Sequence, residues 1–132
     1  MKFIFDDGEV WDDVFTLTAI GNGKYCGGGF RAATNAVLND GVADVCIVDK
    51  ISIFKFLTLV GSYKKGAHLQ NKRAQKVMNY RYTNHFKMEF EEPVPMCIDG
   101  EIKGAKHIDF SVVPNGVKFV VPKGCEYKYS HS

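Results

Sequence analysis

The chain has 132 residues, 45% of them hydrophobic, with 17 basic against 15 acidic side chains. That length and apolar fraction suit a single domain, residues 1–132, with a core of its own, and they exclude a disordered chain. A formal charge of +2 is too small to indicate a nucleic-acid partner, and the longest apolar run, residues 51–60, is broken by Ser52, Lys55 and Thr58 and is far too short to span a bilayer.

The first twenty residues read as a hairpin. "KFIF" is a short strand rich in aromatic and branched residues, "DDG" a turn, and "EVWDDVFTLTAI" a longer returning strand. Gly21, Gly23, Gly27, Gly28 and Gly29 then crowd "GNGKYCGGGF", a composition expected where backbone bends sharply or approaches a neighbour closely. No Gly-Lys-Ser/Thr follows, so this is not a Walker loop.

In "VLNDGVADVCIV" an Asn39-Asp40-Gly41 turn leads into a strand. The turn sets the Asp40 carboxylate beside main-chain carbonyls, oxygen donors of the kind that suit magnesium; alternatively, Asp40-Gly41 only turns the chain. "ISIFKFLTLVGSYKKGAH" then changes to helical spacing, with Gly61 the expected stop. Beyond Gly66 the two-residue period returns in "AQKVMNYRYTNHFKMEFE", "VPMCI", "AKHIDFSVV" and "GVKFVV". Glu92-Pro93, Asp99-Gly100 and Pro114-Asn115-Gly116 separate these strands. Many short strands and one helix predict a mainly β fold, an antiparallel β-sandwich with a single α-helix.

Charge is unevenly placed. Residues 51–88 contain no Asp or Glu but hold Lys55, Lys64, Lys65, Lys72, Arg73, Lys76, Arg81 and Lys87. Such a stretch is either a solvated basic face or an attraction to anionic lipid head groups at a membrane surface. Cys26, Cys46, Cys97 and Cys125 show no Cys-x-x-Cys spacing and no secretory signal precedes them. Reduced thiols in a cytoplasmic protein, peripheral to the membrane at most, fit that pattern. His68, His85, His107 and His131 have no metal-ligand spacing and read as structural or surface residues.

The tripeptide Asp-Gly-Glu occurs twice, at Asp7-Gly8-Glu9 and Asp99-Gly100-Glu101. Both read as turns, but the second follows a stiff apolar strand between Pro93, Pro95 and the turn itself, so Glu101 is presented from a rigid element and can serve as a base in group transfer.

"GNGKYCGGGFRAATNAVLNDGVADVCIV", the helix with "GSYKKGAH", "EEPVPMCIDGE" and "VVPNGVKFVVPKG" together resemble, over residues 6–124, the C-terminal domain of the diacylglycerol kinase family, which includes sphingosine kinases and bacterial lipid kinases. The resemblance implies one lobe of an ATP-dependent lipid kinase that moves the γ-phosphoryl of ATP to a diacylglycerol-like lipid hydroxyl. In the family an N-terminal nucleotide-binding α/β domain with Gly-Gly-Asp-Gly-Thr supplies the other lobe, and this sequence has no such motif. Glu101 matches the family's general base, and Asp40, with main-chain oxygens of Val37 and Val42, matches a structural Mg2+ site. Thr34 stands where the family commonly has proline.

The alone lobe is expected to bind ATP poorly and to be inactive in isolation. The alternative is a non-catalytic β-sandwich that binds a lipid or a protein partner. A relative of the NAD kinases, which share the two-domain plan, is a third reading. Strand edges left uncovered by a missing lobe could also pair copies into a homo-oligomer.

Overall fold

The computed structural model describes residues 1–118, 120, 122 and 123. Two antiparallel sheets face each other, ordered β2-β1-β6-β7 and β3-β4-β5. The fold is the expected antiparallel β-sandwich, and among the described residues one helix is longer than a single turn.

Strand β1 (Lys2–Phe5) alternates, burying Phe3 and Phe5. After a turn closed by the Phe5 N–H to Glu9 O bond at 3.0 Å, β2 (Val10–Asp12) pairs back on it. The single returning strand expected here is in fact two. The chain leaves the first sheet at Asp13 and Val14 and enters the second as β3 (Phe15–Gly21). The Met1 ammonium fixes this corner by donating to Asp13 O at 3.0 Å.

Central strand β4 (Ala43–Asp49) is buried on both faces, which is why its sequence is almost uninterruptedly apolar. Val45 and Ile47 pack with Phe3, Phe5, Phe86 and Met88 between the sheets. Cys46 instead packs with Ala32 and Tyr63 on the outer face, beneath helix α1 (Ile53–Lys64).

Ser52 caps α1, its hydroxyl accepting from Lys55 N at 3.4 Å. The helix does not stop at Gly61. It runs a turn further and ends where Gly66 adopts φ +72°, with Ala67 N–H bonded to Ser62 O at 2.9 Å. A 3₁₀ turn (His68–Gln70) and the short α2 (Lys72–Gln75) follow in a segment expected to begin a strand.

Strand β5 (Met78–Thr83) then starts, and the expected continuous run splits at Asn84, where the chain crosses back to the first sheet as β6 (His85–Ile98). Glu92-Pro93 does not end β6; the strand passes through it with a register shift between Glu89 and Val94, where a missing ladder donor is tolerated. β7 (Glu101–Ser111) completes the sheet. The Pro114-Asn115-Gly116 turn forms, with Asn115 at φ +55° and Gly116 N–H bonded to Val113 O at 3.2 Å. The strand expected over residues 116–121 falls partly outside the described residues, as Cys125 and His131 do entirely.

Candidate active site at the β6–β7 hairpin

Asp99 and Gly100, at φ +48° and +93°, form the two-residue connection between β6 and β7. Left-handed backbone at both positions is the hairpin geometry that matches strand twist, and Asp-Gly is a preferred pair for it. The register sets Ile98 opposite Glu101 and Met96 opposite Lys103, so each pair leaves the ribbon on one face. Glu101 is 75% exposed, and its carboxylate lies 3.3 Å from the Lys103 ammonium.

Beside this hairpin a groove of about 760 Å³ runs between the sheets. Phe90, Val94, Met96, Ile98 and Asp99 of the β6 side line it, with Ile108 and Phe110 of β7. Leu17 and Ile20 of β3 face them, and Asn22, Gly23, Tyr25 and Cys26 extend the wall into the glycine-rich loop. The groove is therefore mostly aliphatic and aromatic, with one carboxylate, Asp99, in its lining; Glu101 follows two residues later in the hairpin and is not part of that lining.

In the glycine-rich loop, Cys26 and Phe30 exchange backbone hydrogen bonds of 2.8 and 3.0 Å around Gly27, Gly28 and Gly29. All three glycines have positive φ, while a Cβ on any of them would meet nothing within 4 Å. The sharp bend requires them, not close approach. The Thr34 hydroxyl lies 3.1 Å from Arg31 O and 3.3 Å from Gly66 O, tying the loop to the end of α1.

At the other candidate site, Asp40 Oδ1 accepts the Val42 N–H at 3.1 Å. Asp40 is exposed, and Val37 and Val42 are half-buried. The carbonyl of Leu38 accepts from Asn22 at 3.3 Å, which joins this turn to the groove wall. One carboxylate and two main-chain oxygens are hard donors that fit magnesium, though they supply at most half of an octahedral shell. Among the described residues, no cluster of three His, Cys, Asp or Glu offers an alternative metal site.

Behind the turn, Asp44 is buried to 1% exposure and accepts the Tyr80 hydroxyl. Burial, and then the bond to Asp44, push the Tyr80 hydroxyl well above the usual tyrosine range. Asn35 donates to both tyrosines, from its N–H to Tyr80 at 3.5 Å and from its side chain to Tyr82 at 2.9 Å. A polar network thus anchors the segment leading to Val37.

Sequence reasoning took the first Asp-Gly-Glu for a plain turn. In the structure, Asp7 and Glu9 both accept from Arg81 of β5, joining the two sheets, while the guanidinium stacks 4.2 Å from the Phe5 ring centroid. Trp11 Nε1 also donates to Glu9 at 2.7 Å. The one arginine among the lysines around β5 was the available signal, because a planar fork suits two carboxylates as an ammonium does not. His85 is equally engaged, between Asp6 and Asp109 Oδ1, the latter at 2.6 Å.

Residues 4–121 match the model of the YegS C-terminal NAD kinase beta sandwich-like domain. The chain belongs to this family. Among curated relatives of the YegS C-terminal domain, one assigned as a YegS-like lipid kinase of Shewanella frigidimarina is 29% identical over 91% of the chain and 37% of its own length. The diacylglycerol kinase of Bacillus subtilis is 24% identical over 89% of the chain and 37% of its own length. The chain thus spans little more than a third of the curated relatives it matches. A solved Bacillus anthracis chain, assigned as a diacylglycerol kinase, superposes with TM-score 0.63 at 22% identity, covering 86% of this chain and 37% of that one, and so shares the fold.

Proposed function

We propose that this YegS-type domain is the lipid-binding lobe of an ATP-dependent lipid kinase and that Glu101 is the general base. The observation that carries this reading is the apolar groove whose lining takes in Ile98 and Asp99 of the hairpin that bears Glu101. A diacylglycerol-like lipid would lay its chains along Phe90, Met96, Ile108 and their neighbours and hold its hydroxyl near the carboxylate.

In the reaction the hydroxyl oxygen bonds to the γ-phosphorus of ATP, the bond from that phosphorus to the ADP oxygen breaks, and the hydroxyl proton passes to a Glu101 carboxylate oxygen. The ATP would be held mainly by an N-terminal nucleotide-binding domain. Asp40, with the Val37 and Val42 carbonyls, would hold magnesium, whose positive charge would offset the negative charge of the phosphates. Lys103, 3.3 Å from Glu101, orients the carboxylate. With no paired cysteine spacing in its sequence, the domain would work in a reducing, cytoplasmic setting.

In a polypeptide that joins this domain to its nucleotide lobe, Glu101→Gln is expected to remove nearly all lipid phosphorylation and leave thermal unfolding unchanged. Near-normal turnover overturns the assignment. A second reading, a lipid-binding module without catalysis, is favoured by the groove being formed within this chain alone. Exposed Cys26 and Cys97 both border the groove, so dispersed diacylglycerol should slow their maleimide labelling under either reading, and only the kinase reading predicts loss of turnover in Glu101→Gln.

A further inference from the structure

Helix α1 buries only one side. Leu59 and Tyr63 are buried against the outer face of the β3-β4-β5 sheet, and Phe56 and Val60 share with them the lining of a small void there. On the opposite side Ile53, Phe54 and Leu57 are 63%, 79% and 59% exposed. Phe54, Leu57, Gly61 and Lys64 recur at helical spacing, so these apolar side chains and a terminal lysine form one outward stripe. A helix that merely covers a sheet presents polar residues there.

The surroundings are uniformly cationic. Lys50, Lys55, Lys64 and Lys65 are exposed on α1 or at its ends. The next helix, α2, lies alongside, its Ala74 packed with Leu59, and it adds exposed Lys72, Arg73 and Lys76. The stretch from 51 to 88 has no carboxylate, and among the described residues none of these seven cations pairs with one.

We propose that α1 docks this domain on the surface of an anionic phospholipid bilayer, with Ile53, Phe54 and Leu57 entering the acyl boundary and the lysines of α1 and α2 facing the head groups. Charge complementarity selects this occupant. Three apolar side chains are too small a patch for a stable protein interface, which needs about 800 Å² from each partner. Shallow insertion of a few aromatic and aliphatic residues ringed by lysine is, in contrast, how interfacial helices hold a membrane. The proposal concerns the outer face of the second sheet and does not depend on what Glu101 does.

The test is flotation of the 132-residue chain with phosphatidylcholine vesicles, with and without phosphatidylglycerol. The wild-type chain should bind the anionic vesicles, lose binding steeply as salt rises, and leave neutral vesicles largely free. The Phe54→Ser/Leu57→Ser double variant should lower the bound fraction about tenfold or more. Both side chains are exposed, so its circular dichroism and unfolding midpoint should match wild type; Lys72→Glu/Arg73→Glu provides an independent variant that should also lose anionic binding. Equal binding to neutral vesicles, unchanged binding by both variants, or no binding at all overturns the proposal. So does a dimer in solution that the Phe54→Ser/Leu57→Ser change dissolves, because the face is then an interface between copies. No outcome involves ATP or turnover, so failure here is separate from failure of the kinase reading.

Discussion

Arg81, in strand β5 of one sheet, donates to Glu9, in the opening hairpin of the other. A second donation, to Asp7, and the 4.2 Å approach to Phe5 make this a clasp across the sandwich with an apolar floor. Each partner is at least one-fifth exposed, so the charge part is screened and modest. Arg81→Ala should lower stability by about 1–2 kcal/mol through lost ring contact and paired bonds together. Asp7→Asn alone should cost less, because Glu9 still holds the arginine. A urea series comparing the two variants checks this order.

Two histidines should give stability opposite pH slopes. Bonds to Asp6 and then Asp109 raise the His85 value above the ordinary 6.5, with Lys87 also near Asp109. A raised folded value means its contribution is complete below 6.5 and is lost as pH rises through that higher value. His68, 1% exposed, is pushed below 6.5 by burial, which outweighs the opposing pull of backbone groups at Ala32 and Tyr63. Its contribution is complete above 6.5 and declines as pH falls. His85→Gln should therefore flatten the alkaline side of a stability-versus-pH curve and leave the acid-side decline in place, as measured by urea midpoints.

Gly61 and Gly66 should respond oppositely to alanine. Gly61 is inside α1 with nothing within 4 Å of an added Cβ, so Gly61→Ala should stabilise by up to about 1 kcal/mol. Gly66 sits at φ +72°, and an added Cβ would come within 3.0 Å of Arg31 Cβ. Gly66→Ala should cost about 1–2 kcal/mol or more, from left-handed strain and displacement of Arg31. Thermal unfolding of the two variants separates them by sign.

That contrast shows what sequence pattern can and cannot resolve. Alternation exposed β1, and the apolar run exposed β4, because burial on one or both faces imprints a period directly. The sheet changes at Asp13 and at Asn84 were invisible, since a strand pattern continues through them and only pairing with distant partners decides which sheet each half joins. Either glycine could have ended α1; Gly66 does so because the chain must turn beside Arg31 and Thr34, contacts more than thirty residues away in sequence. At the site, turn chemistry located Glu101 at a hairpin end, but the groove next to it joins β3, β6 and β7 and had no local signature.

Asp40 allows a test free of catalysis. If its carboxylate and the carbonyls of Val37 and Val42 hold magnesium, the ion binds the folded chain and not the unfolded one, and must raise the unfolding midpoint as its concentration passes the dissociation constant. Asp40→Asn keeps an oxygen able to accept the 3.1 Å bond from Val42 N–H, so the turn should survive while the charge that attracts the cation is gone. At a hundred times the dissociation constant the wild-type gain should be about 2.7 kcal/mol, and the variant should show little of it. The same titration with calcium gauges the demand for compact octahedral geometry. A magnesium-dependent rise that is equal in wild type and Asp40→Asn would leave Asp40 as a turn residue only.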